Sequence, residues 1–227
     1  MSPVEPCYVI GGGRPLRGDV TVSGSKNAAL YAVAAGLLTA DTLTLRNVPE
    51  IADIEEMAEI LRGLGSTVSI DGETLTIATP TITSTAPPAE QVLRLRASFL
   101  VMGPLLARAG EAECVPPGGD VIGSRPLDVH FVGFRMLGAQ VTRHGANWRA
   151  EAPHLTGART PTVEVDGVAS LHGADFPIIP DRLEAGTYLR AGAATGGDVR
   201  VTNAVPNHMD SLVAKLREMG MTVQVGE

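Results

Sequence analysis

Ile54-Glu55-Glu56-Met57-Ala58-Glu59-Ile60-Leu61-Arg62-Gly63-Leu64-Gly65-Ser66-Thr67-Val68-Ser69-Ile70 is the stretch whose pattern decides the fold. Ile54, Met57, Ile60, Leu61 and Leu64 recur at the i, i+3, i+4 spacing of a helix with one buried face. Gly65 follows the last apolar residue, where a helix is expected to end on a left-handed C′ glycine. Beyond it, Ser66-Thr67-Val68-Ser69-Ile70 alternates with the period of a strand. The stretch therefore predicts a helix over 54–64, then strands over 67–70 and 74–77.

The same order of parts occurs three times. In the first segment, an apolar helix over 27–38 and a strand over 42–47 precede the helix at 54–64, and a short strand near Val20 precedes them all. In the second, a helix over 97–107 and a strand over 112–115 lead to a helix over 127–137, Gly138, and strands around Val141 and Trp148. In the third, a helix over 184–194 and a strand over 198–203 lead to a helix over 209–219, Gly220 and a strand over 222–225. Leu64-Gly65, Leu137-Gly138 and Met219-Gly220 close the second helix of each segment. The helix at 27–38 is small and apolar nearly all round, so it is expected to be covered on most sides. Three such units argue for one pseudo-symmetric α/β assembly. The segments 79–90 and 153–161, rich in Pro, Thr and Ser, read as surface connections between units.

The chain has 227 residues, 44% of them hydrophobic, which is ample for a core. A formal net charge of −7 with 4% aromatics argues against a nucleic-acid partner. The two cysteines, Cys7 and Cys114, form no metal-ligand or disulfide pattern, and Cys114 reads as a small packed hydrophobe. No ligand pair is evident among the histidines, so neither a metal nor another cofactor is expected. The longest apolar run, 28–38, falls short of the ~20 residues that span a bilayer, and no secretory signal is visible at the start. The expectation is a cytoplasmic protein without a membrane partner.

Three places could hold an anion. Ser23-Gly24-Ser25-Lys26-Asn27 lies where a strand turns into a helix, and helix-start N–H groups with Lys26 favour phosphate or carboxylate. The spacing is not that of a Walker loop, and Ser25 serving as an N-cap beside a solvated Lys26 is the other reading. Arg96 stands at the point of the second unit where Lys26 stands in the first. Third, the loop Pro116-Pro117-Gly118-Gly119-Asp120-Val121-Ile122-Gly123-Ser124-Arg125-Pro126-Leu127-Asp128-Val129-His130 offers a carboxylate and a permanent cation before a helix start. Asp120 there fits either a turn residue or an acid that delivers a proton to an anionic substrate. His130 fits either a ligand contact or a packing role. Gly11-Gly12-Gly13 lacks dinucleotide-fold spacing.

Four blocks, Ser23–Leu30, Leu95–Ser98, Pro117–His130 and Pro180–Leu189, resemble the UDP-N-acetylglucosamine 1-carboxyvinyltransferase family of enolpyruvyl transferases, in family order and along essentially the whole chain. The resemblance implies the inside-out α/β barrel, built from repeated strand-helix-strand-helix-strand-strand units, six in a whole member. It implies transfer of the enolpyruvyl group of phosphoenolpyruvate to the 3′-hydroxyl of UDP-N-acetylglucosamine, the first committed step of peptidoglycan precursor synthesis, and so a role in cell-wall biogenesis, cell shape and division. By position, Lys26 and Asn27 would bind phosphoenolpyruvate. Arg96, Arg125, Pro126, Leu127, Asp128 and Val129 would contact the sugar nucleotide, with Arg125 also near the phosphate. Asp120 falls where many members have a cysteine, the loop acid that protonates the methylene carbon of phosphoenolpyruvate. Fosfomycin alkylates that cysteine, so insensitivity to the drug is implied.

The chain resembles repeats one, two and four. Residues 163–168 read like the end of a third repeat whose body is missing, and the fifth and sixth are not represented. With them goes the carboxylate expected to take the hydroxyl proton. The three units are expected to form one pseudo-threefold domain (about 16–78, 92–152 and 163–227). The alternative is a partial first domain at 16–160 and a partial second at 1–15 plus 161–227. Two other functions stand beside the transferase: a non-catalytic remnant or binding module, and an enolpyruvyl transferase for another acceptor such as shikimate 3-phosphate. A complementing polypeptide is the partner such a shortened chain calls for.

Overall fold

The computed structural model describes residues 11–119, 126–156 and 168–226. The chain divides into two compact units, Gly24–Ile179 and Met1–Ser23 with Pro180–Glu227.

In the unit Gly24–Ile179, the first repeat comprises α1 (Lys26–Ala35), β2 (Thr42–Arg46), α2 (Ala52–Gly63), β3 (Thr67–Asp71) and β4 (Thr74–Ala78); β1 (Arg17–Thr21) belongs to the other unit. The helical stripe behaves as its spacing requires. Ile54, Met57, Ile60, Leu61 and Leu64 are all buried, and Gly65 takes φ 106°. A side chain at Gly65 would also strike the Thr81 carbonyl, at 2.6 Å from its Cβ, so conformation and space both require glycine there. α1 stops at Ala35 rather than Leu38. Gly36, Leu37 and Leu38 each donate to the carbonyl three residues back, the tighter bonding of a fraying last turn.

The second repeat opens with a short helix, α3 (Ala89–Arg94), and a 3-10 turn over Arg96–Val101, followed by α4 (Met102–Ala109). The sequence pattern read 97–107 as one helix; its first half is 3-10. β5 (Glu111–Cys114), α5 (Asp128–Met136), β6 (Gln140–His144) and β7 (Asn147–Glu151) complete the repeat. The segment after Thr79 is not simply a surface connection. Thr79 is fully buried, donating to the Gly36 carbonyl and bonded to the Ser66 hydroxyl, and Thr83 and Thr85 are tied to Leu64 and Glu113 by backbone bonds.

Each repeat in this unit builds its sheet alike: the second strand of the hairpin inserts between the first and the central strand. The orders are β3-β4-β2 and β6-β7-β5, all antiparallel. An eighth strand, β8 (Asp175–Pro177), lies parallel to β2 at its other edge. Its proline hides it from a sequence reading, since proline is tolerated only at strand edges. One apolar core, from Ala29 to Ile178, runs through the unit.

The unit formed by Met1–Ser23 and Pro180–Glu227 holds β1, α6 (Arg182–Ala194), β9 (Asp198–Thr202), a 3-10 turn over Pro206–Met209 and α7 (Asp210–Glu218). β1 and β9 pair in parallel. Its buried cluster is small, formed by Val22, Ala185, Met209 and Val213. The strand expected over 222–225 does not form. In the other repeats that position is laddered by a hairpin partner, and among the described residues none runs beside 222–226.

The repeat has a polar signature as well as an apolar one. Arg62 donates to the Val68 carbonyl (2.7 Å), Arg135 to that of Val141 (3.5 Å) and Arg217 to that of Val223 (2.7 Å). Each arginine spans the glycine turn and holds the segment that follows against the helix it leaves. Asn47 and Asn203 correspond in the same way. Both take positive φ after the central strand, and their side-chain amides donate to the carbonyls of Ile178 and Val22.

Candidate anion site

Lys26, Asn27, Arg96, Pro126, Leu127, Asp128 and Val129 all lie in the unit Gly24–Ile179; Asp120 and Arg125 lie outside the described residues. Lys26 is the first residue of α1. Ser25 occupies the N-cap with extended backbone, but its side chain makes no capping bond, so Ser25 itself leaves the helix-start N–H groups uncapped. The reading of Ser25 as a side-chain cap is therefore not what this helix uses. Gly24 lets the chain pass against Asn47: a Cβ there would lie 1.7 Å from the Asn47 carbonyl oxygen.

A cation at a helix N-terminus opposes the dipole by roughly 0.3–1 kcal/mol, so it needs an anion nearby. Asp53, in the first turn of α2, is that anion: its carboxylate accepts from Lys26 Nζ at 3.0 Å, with both side chains substantially exposed. Sequence reading missed Asp53, since nothing local marks an aspartate 27 residues away as a partner.

Arg96 stands first in its 3-10 turn, as Lys26 stands first in α1. α1 packs against this turn. The described start of the Pro/Gly loop folds back onto the same place. Gly118 and Gly119 donate to the carbonyls of Val92 and Leu93, both at 3.1 Å. A Cβ on Gly118 would sit 1.7 Å from the Leu93 oxygen, and one on Gly119 2.9 Å from the Arg96 nitrogen. The two glycines are thus what allows the loop to leave from beside Arg96.

On the far side of the loop, Leu127 caps α5 and Asp128 opens it, with Val129 76% exposed. α5 is held by aromatic packing. Phe99, in the Arg96 turn, lies 5.4 Å from the His130 ring and 5.8 Å from Phe131, and Phe131 lies 4.4 Å from Trp148. His130 therefore has a packing partner. The structure brings both ends of the loop to one framework, the 3-10 turn that begins with Arg96.

Cys114 is buried at the end of β5, and burial pushes its thiol up to about 12, so it stays protonated and unreactive at neutral pH. Among the described residues no group of three His, Cys, Asp or Glu is placed to hold a metal ion. No helix among them is long and apolar enough to cross a membrane.

The profile of the family described as EPSP synthase (3-phosphoshikimate 1-carboxyvinyltransferase) matches residues 10–157 and 152–227. The chain belongs to the EPSP synthase family. Among this family member's curated relatives, a UDP-N-acetylglucosamine 1-carboxyvinyltransferase of Solibacter usitatus is 38% identical over 271 residues, covering 95% of this chain and 65% of the relative. A UDP-N-acetylglucosamine 1-carboxyvinyltransferase 2 of Carboxydothermus hydrogenoformans is 37% identical, covering 95% and 64%. The chain thus spans somewhat less than two thirds of these relatives' length. The 271-residue alignment is longer than the chain itself, so it must step over residues that the relative has and this chain lacks.

Solved structures agree on the fold. An enolpyruvyl transferase, NikO, from Streptomyces tendae superposes with a TM-score of 0.55 at 26% identity, over 64% of this chain and 32% of that one. An EPSP synthase from Acinetobacter baumannii superposes with a TM-score of 0.68 at 16% identity, over 95% and 62%. The fold class is the α/β architecture of the enolpyruvyl transferases, as the sequence repeats and the resemblance led one to expect.

Proposed function

We propose that this family member serves the transfer of the enolpyruvyl group of phosphoenolpyruvate to the 3′-hydroxyl of UDP-N-acetylglucosamine. The observation that carries this reading is the shared name of its relatives at 36–38% identity over about 95% of the chain. The helix-start N–H groups of α1, which the Ser25 side chain does not cap, lie beside Lys26 and Asn27 and support a phosphate or carboxylate subsite for phosphoenolpyruvate. Arg96, Arg125, Pro126, Leu127, Asp128 and Val129 are proposed to contact the sugar nucleotide.

Asp120 is proposed as the proton donor. Its carboxyl gives a proton to the methylene carbon of phosphoenolpyruvate while the sugar oxygen bonds to C2. The carbon then returns a proton as phosphate leaves, which restores the double bond. A carboxyl can do this when desolvation and neighbouring phosphate charge raise its pKa toward neutrality. No residue of this chain is assigned to take the hydroxyl proton, so a complementing polypeptide is part of the proposal. The setting is peptidoglycan precursor synthesis in the cytoplasm.

The alignment's step over missing residues favours a second reading, a binding module that holds the anionic substrate without turnover. Phosphate release from phosphoenolpyruvate and UDP-N-acetylglucosamine by the purified chain separates the two, alone and with a supplied second half. Asp120→Asn is expected to abolish release while leaving phosphoenolpyruvate binding within a few-fold; release unchanged by that substitution would remove Asp120 from its role. Shikimate 3-phosphate as acceptor is the control for substrate class. Fosfomycin is expected to leave any activity intact, since Asp120 offers no thiol and Cys114 is buried and protonated.

The three repeats are proposed to act as one pseudo-threefold domain. One calorimetric unfolding transition is the expected result, and two would favour partial domains at 16–160 and at 1–15 plus 161–227.

A further inference from the structure

Each repeat opens its first helical segment with a cation: Lys26 starts α1, Arg96 starts the 3-10 turn and Arg182 starts α6. Only in the first repeat does the second helix carry a carboxylate at the place of Asp53. Asp53 lies twelve residues before Gly65, and the same step back from Gly138 and Gly220 falls on Pro126 and His208. The carboxylate therefore belongs to one repeat and is not required to build the shared fold.

Asp53 sits in the first turn of α2, where Ile51 at the N-cap makes no side-chain cap bond, and α1 packs against α2. Its 3.0 Å bond with Lys26 joins the starts of the two helices. At α6 the carboxylate is used differently. Asp181 accepts from the N–H groups of Leu183 and Glu184 at 2.7 and 3.2 Å, and so caps its own helix. Asp53 bonds the cation of a neighbouring helix instead. The Lys26 and Asp53 side chains are 51% and 36% exposed, so an incoming anion can reach Nζ without the fold opening.

We infer that Asp53 is the resident counter-ion of the Lys26 subsite: its carboxylate holds Nζ before substrate arrives, yields it to a substrate oxyanion, and takes it back as phosphate leaves. This rests on the proposed reading of Lys26 as a phosphoenolpyruvate contact. An ammonium has three donors, so geometry alone would let Nζ keep Asp53 and a phosphate together. Charge opposes it, because a carboxylate and a phosphate dianion at one ammonium repel each other. The proposed reaction leaves inorganic phosphate behind, and a lysine beside a helix start would hold that product. By competing for Nζ, Asp53 hastens its departure. Asp53 is thus a positioning residue, acting through Lys26 and bonding neither substrate nor product.

The test is a titration of the full chain with inorganic phosphate, and separately with phosphoenolpyruvate, followed by NMR at the backbone amides of Lys26, Asn27 and Ala28. Asp53→Asn is expected to bind phosphate about fivefold more tightly than the parent, with slower dissociation carrying the gain. Asp53→Ser, a second neutral variant, is expected to share that gain. Asp53→Glu, which restores the charge, is expected to stay within about twofold of the parent. The nitrogen signal of Lys26 Nζ is expected to differ between parent and Asp53→Asn before phosphate is added and to coincide at saturation. Binding by the neutral variants no tighter than the parent's overturns the inference and leaves the Lys26 subsite standing. A Lys26 signal that still differs at saturation also overturns it, since carboxylate and phosphate would then share the ammonium. No amide shift in the parent or in either neutral variant overturns the reading of Lys26 and the inference together. Turnover plays no part in the readout, so a failed transferase assay leaves the result interpretable.

Discussion

The repeats of the unit Gly24–Ile179 and the repeat of the smaller unit use the same parts with different closure. In the former, each central strand is covered by a hairpin, and one continuous core results. In the latter, β9 pairs with β1 among the described residues, and four buried side chains form the cluster. Both units share the arginine-to-carbonyl tie across the glycine turn. The helix starts differ too. Asp181 caps α6 by accepting from the N–H groups of Leu183 and Glu184, whereas Ser25 gives α1 no such bond.

The sharpest way to break this comparison is in the cores. Leu61→Ala, at a fully buried site, is expected to cost about 2–5 kcal/mol in urea unfolding. Val213→Ala, in the smaller buried cluster, is expected to cost only about 1 kcal/mol, because it removes less apolar bulk and few buried side chains surround it. Equal losses would mean the two cores are equally closed. Next in size are the caps. Asp181→Ala is expected to lower stability by about 1 kcal/mol, and Ser25→Ala by far less, since no side-chain bond is lost. A Ser25→Ala loss as large as that of Asp181→Ala would erase the contrast between the two helix starts.

The smallest effect concerns pH. The Arg46 guanidinium donates to both oxygens of Asp175, at 2.7–3.1 Å, and holds its carboxyl below the ordinary 3.8. A carboxylate whose folded pKa is lowered adds stability above its unfolded pKa and loses it as pH falls through the folded value. Thermal stability is therefore expected to decline slightly more below pH ~4 in the parent than in Asp175→Asn. The pair is exposed, so the difference is small. Identical acid profiles would show that β8 gains nothing from the bridge.

Much of this was legible in the residues. The stripe from Ile54 to Leu64, and the glycines 65, 138 and 220, name the helices and their ends because 3.6-residue periodicity and positive φ are local properties. Lys26 and Arg96 could be matched by repeat position alone. Asp53 could not, and neither could the way Gly118 and Gly119 seat the loop beside Arg96. Both depend on which segments the fold brings near. The strand expected at 222–225 failed for the same reason: its alternation was right, but alternation does not supply a partner.

By itself, the sequence determined three repeats of an enolpyruvyl transferase type of fold, since helix periodicity, turn glycines and motif order are written along the chain. Only the tertiary structure decided that β1 joins β9, that Asp53 answers Lys26, and that Gly118 and Gly119 seat the loop beside Arg96. Strand pairing and ion pairing join residues distant in sequence, so they become visible only once the chain has brought them together.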